Sequence, residues 1–176
     1  MTLINGKRYG FLAFLMLLAV VLQYSFLQRI HLANAGLELL LFFPVFGGLL
    51  EGPLMGFILG VIAGLVQDLF IGKYIGLTVI SFAVAGAVVG WGSIRVYKEN
   101  YLVPIAAIAV GLFTSQIVYY GLITLLGAKH VALPLFLQYI GACILLNGII
   151  APFLYVFTYK SFTEGLLRKK SRQELE

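Results

Sequence analysis

Gly52, Gly56, Gly60, Gly64 and Asp68 recur at a strict step of four in a stretch built almost entirely of Leu, Ile, Val, Phe, Met and Ala, and Gly72 and Gly76 continue the beat. An interior glycine costs a soluble helix roughly 1 kcal/mol. In lipid, a row of glycines lets another helix backbone approach closely enough for dense van der Waals packing. The run therefore predicts a membrane helix with a bare, grooved face. A four-residue step drifts by about 40° per repeat on a 3.6-residue helix, so the groove winds and suits a crossing neighbour. Two neighbours fit: the next segment, where Gly86 and Gly90 repeat the spacing as a secondary packing face, or the transmembrane helix of a partner protein.

Composition agrees with a membrane setting. Of 176 residues, 61% are hydrophobic and 11% charged, and the mean hydropathy is +1.02. The apolar stretches run about 20 residues, the length that crosses a hydrocarbon core of roughly 30 Å. None of the segments between them is long enough to fold alone, so residues 1–176 read as a single transmembrane domain ending in a basic tail over 160–176. The first apolar stretch follows Lys7 and Arg8, is longer than a secretory h-region and lacks a small-residue cleavage site, so it reads as retained. Cys143, the sole cysteine, excludes an internal disulfide.

The expected architecture is an all-α integral membrane protein, a six-helix bundle with five crossings as the alternative. Spans are expected at Tyr9 to Gln28, Leu37 to Leu50, Pro53 to Ile71, Ile75 to Ile94, Leu102 to Leu126 and Leu133 to Tyr159. The second is short and contains Pro44, which removes a helix hydrogen bond, so it need not cross at full length. Pro152 lies deep in the sixth and predicts a break into two pieces.

Counting Lys and Arg on alternate sides of six spans sets the orientation. One side takes Lys7, Arg8, Arg95, Lys98, Lys160, Arg168, Lys169, Lys170 and Arg172; the other takes only Arg29, Lys73 and Lys129. Both termini are expected in the cytoplasm. The pI near 9.4 then reflects topology and no nucleic-acid partner. Arg168, Lys169, Lys170 and Arg172 read as a contact for anionic membrane lipid, at roughly 1 kcal/mol per basic residue near the surface, or for an acidic cytoplasmic partner.

Asp68 carries the most physical tension. It lies near the C-terminal end of its helix, where the macrodipole disfavours an anion, and inside a span, where an ionisable group calls for a partner. Arg29 and Lys73 fall on the same side of the membrane and are its expected mates; a tie to the adjacent loop is the simpler alternative. Among the other polar residues within spans, Thr114, Ser115 and Gln116, together with Asn147, are the best candidate lining of a polar cavity, and otherwise join helices by hydrogen bonds.

Catalytic, cofactor-binding and metal-ligating residues are not indicated. His31 and His130 lie in different short loops without a carboxylate or cysteine at ligand spacing, and no nucleophile elbow, zinc-binding helix or phosphate-cradling loop is present. The chain reads as a non-enzyme with no cofactor.

The stretch GLLEGPLMGFILGVIAGLVQDLFIGKYIGLTVISFAVAGAVVG, with its glycine-stepped helix, Gly64-Leu65-x-x-Asp68, Gly72 and Gly76-Leu77, resembles the most recognisable segment of the rod shape-determining MreD family. Length, basic N-terminus, span number and charged tail are similar too. The resemblance implies a non-enzymatic component of the bacterial elongation machinery in the plasma membrane, needed for cell shape and lateral peptidoglycan synthesis. Its implied companions are the bitopic protein MreC, the actin-like MreB filament, and the glycosyltransferase RodA with its penicillin-binding transpeptidase. The implied fold resembles the six-helix substrate-binding subunit of energy-coupling-factor vitamin transporters. That subunit is itself the alternative function, but its Ala-x-x-x-Ala docking pattern is missing: Ala13 is followed four later by Leu17, and Ala19 by Gln23. On this reading the face Gly52, Gly56, Gly60, Gly64 and Asp68 either holds the bundle together or receives the helix of MreC.

Overall fold

One glycine turns the chain between its two most tightly coupled helices. α2 (Leu39–Glu51) ends at Gly52, whose φ of 97° is left-handed backbone that side chains rarely adopt, and α3 (Pro53–Ile71) starts at the next residue. The Gly52 N–H closes α2 on the Gly48 carbonyl at 2.9 Å, and Pro53, with no N–H to satisfy, opens α3. Before this hairpin comes α1, described over Leu15–Ser25; after it come α4 (Leu77–Gly92), α5 (Leu102–Leu125) and α6 (Leu133–Thr163). The computed structural model describes residues 15–25, 36–71, 75–93, 102–127 and 132–163.

α3, α5 and α6 are long and apolar enough to cross a membrane, over Pro53–Phe70, Leu102–Leu125 and Leu133–Val156; α1, α2 and α4 are apolar but shorter. Exposure is inverted relative to a water-soluble bundle. Leu54 is 73% and Phe153 84% exposed, whereas Asp68 is 2%, Ser81 1% and Asn147 1% exposed. In water such an apolar surface would drive association; in lipid it is the solvated face, and buried polar groups take their partners from inside.

α2 is the centre. Nine of the ten positions from Leu40 to Leu49, all but Phe43, are buried around its whole circumference, as expected of a helix apolar on every side. It touches α3, α4, α5 and α6, and Met16, Ala19 and Val20 of α1 complete the core around it. Phe46 packs edge-on against both Phe42 and Tyr155, with ring centroids 5.4 Å apart in each case. At thirteen residues α2 rises only about 20 Å, short of the roughly 30 Å of a hydrocarbon core. α6 runs unbroken from Leu133 to Thr163 with Pro152 inside it, which corrects the expected two pieces. A proline removes one N–H from the ladder, and membrane helices commonly absorb that loss without ending.

The glycine steps lie where α2, α3 and α4 meet. A Cβ on Gly56 would overlap the Gly86 carbonyl oxygen and stand 2.8 Å from the Gly48 Cα; one on Gly60 would stand 2.6 Å from the Ala83 Cα; one on Gly64 would stand 2.5 Å from the Val79 Cα. From the facing side, Gly86 abuts Gly56 and the Pro44 Cβ, and Gly90 meets the Pro53 Cα at 2.5 Å. α4 therefore fills the α3 groove backbone to backbone. Gly52 is the exception to the expected ladder: it is the turn residue, and its own Cβ would meet nothing within 4 Å.

Because the obstructing atoms are backbone, a larger residue cannot be accommodated by a rotamer change. Gly60→Leu should lower the thermal unfolding midpoint in detergent by the equivalent of about 3 kcal/mol or more. Gly121→Leu on α5, where a Cβ meets nothing within 4 Å, should leave it unchanged. Equal midpoints for the two variants would contradict the assigned packing.

Candidate functional site

Helix starts are the costly points of a bundle in lipid, because the first N–H groups of each helix lack partners within it and have no water to turn to. α2 and α4 both begin without a side-chain cap of their own, at Glu38 and at Gly76. Each is capped from a neighbouring helix, and the two caps organise the polar residues of the interior.

At α4, the cap is Asp68. Its Oδ2 accepts the Gly76 N–H at 2.7 Å and the Val79 N–H at 3.4 Å. Gly76 takes a φ of 105°, so a glycine is needed where the chain turns to present that N–H. Asp68 lies near the end of α3, where its own helix dipole disfavours it, but it faces the positive start of α4, which favours an anion. The tension read in the sequence is thus relieved by backbone. Arg29 and Lys73, the expected mates, lie outside the described residues, as do Arg168, Lys169, Lys170 and Arg172 of the tail.

At α2, the caps are amides. The Leu40 N–H donates to Gln23 Oε1 of α1 at 3.2 Å, and the Glu38 N–H donates to Asn147 Oδ1 of α6 at 2.9 Å. Asn147 Nδ2 returns to the Cys143 carbonyl at 2.8 Å and reaches the Gly36 carbonyl at 3.4 Å. The Glu38 carboxyl accepts from Gln116 Nε2 of α5 at 2.7 Å. Four helices are therefore joined at the head of α2 through Gln23, Glu38, Gln116 and Asn147. Gln116 and Asn147 do converge, whereas Ser115 turns back to the Leu112 carbonyl of its own helix at 3.0 Å.

Glu38 is the residue the sequence reading missed. It is the second residue of the expected Leu37 to Leu50 span and was not singled out there; an acid at the first residues of a short apolar helix is the available signal. Gly47 and Gly48 were missed likewise, although Gly48 forms the α2 side of the three-helix junction, its Cβ position standing 3.1 Å from the Gly90 N. Beside Asp68, Gln67 Oε1 is buried with no hydrogen-bond partner among the described residues. Elsewhere, a cleft of about 290 Å³ opens between α4 and α5, walled by apolar side chains such as Val88, Val103 and Val110, with Ser93 at its end.

Chemically, this arrangement fixes helix positions: Asp68, Gln23 and Asn147 are directed at helix starts, and Gln116 at the Glu38 carboxyl. Asp68→Ala should destabilise the fold by roughly 1–2 kcal/mol, the usual worth of a helix cap, and Asp68→Asn, which keeps an acceptor oxygen, by less. Glu38→Leu, which strands Gln116, should cost about 1–3 kcal/mol, and Glu38→Gln less. Equilibrium unfolding in detergent measures all four; an alanine no worse than the asparagine at position 68 would contradict the cap.

A family model described as rod shape-determining protein MreD matches residues 6–164, nearly the whole chain. No curated protein and no solved structure matches it.

Proposed function

The chain belongs to the rod shape-determining protein MreD family, and from that membership we propose that it is a non-enzymatic membrane scaffold of the bacterial elongation machinery. The family places it in rod-shape determination, and its apolar helices in a membrane. The finer reading is ours: the chain lies in the plasma membrane with both termini in the cytoplasm, binds MreC, and through it and RodA with its penicillin-binding transpeptidase supports lateral peptidoglycan synthesis alongside MreB filaments.

The observation that carries this reading is the family match over residues 6–164. The physical character of the interior supports it. Gly56, Gly60 and Gly64 are engaged with α4, and Asp68, Gln23, Gln116 and Asn147 with helix starts and with Glu38. An interior committed in this way gives a rigid frame, and rigid frames present defined outer faces to partners. Since α4 occupies the groove of α3, a partner helix docks on another face, and substitutions in the groove act on binding through the fold. The six-helix plan of a vitamin-transporter subunit remains part of the proposal as a likeness of layout.

Affinity purification from native bacterial membranes in mild detergent, with mass spectrometry of co-purifying proteins and small molecules, tests the proposal. MreC and cell-wall synthases should be recovered. A vitamin recovered together with a coupling protein and paired ATPases would replace the scaffold with a transporter subunit.

A further inference from the structure

We draw no further inference here: the strongest candidate, the apolar cleft between α4 and α5 walled by Val88, Gly92, Val103 and Val110, is an unpartnered apolar face, and nothing in the structure shows what covers it.

Discussion

The fold depends on a contact between two backbones. Where Gly56 of α3 meets Gly86 of α4, with Gly48 of α2 against both, no side chain intervenes. In lipid there is no hydrophobic gain from bringing apolar helices together, so association rests on how many atoms come within van der Waals reach. Glycine maximises that number by removing the Cβ that would hold the helices apart. With α3 and α4 locked in this way and α2 hinged to α3 at Gly52, three helices form one body against which α1, α5 and α6 pack.

That body leaves helix starts inside a medium that cannot solvate them, and the polar residues answer this need. Asp68 serves the start of α4, Gln23 and Asn147 serve the start of α2, and Gln116 serves the carboxyl of Glu38. One rule covers the first three: when a helix lacks its own cap in a membrane, a neighbour supplies it, and the cap becomes a link between helices.

Much of this was legible in the sequence. Length and apolarity marked the helices from α2 to α6 to within about four residues, and α1 over its described part, because a membrane imposes a narrow range of span lengths. The MreD resemblance was legible from the segment around Gly64-Leu65-x-x-Asp68, and the family match extends it over residues 6–164. What was not legible depended on which faces meet. The step of four in α3 identified a groove but could not say that Gly86 and Gly90 would enter it, nor that Gly52 would serve as a turn. Asp68 was recognised as needing a partner, with Arg29 and Lys73 or a tie to the adjacent loop as the expected forms; its partners among the described residues are the Gly76 and Val79 N–H groups, and a backbone N–H carries no signature in sequence. Glu38 escaped because its pairing with Gln116 and Asn147, 78 and 109 residues away, depends on which helices meet, and Pro152 misled because a local rule was applied where the surrounding helix overrides it.

The central claim is that the Gly56–Gly86 contact is what couples the helices, and a double-mutant cycle measures it. Gly56→Ala and Gly86→Ala should each destabilise the detergent-solubilised protein by about 1–3 kcal/mol. The double variant should fall short of the sum by at least about 0.5 kcal/mol, because one displacement of α3 from α4 serves both added methyl groups. Single effects below about 0.5 kcal/mol that simply add would contradict the claim, because distant, independent sites behave in that way.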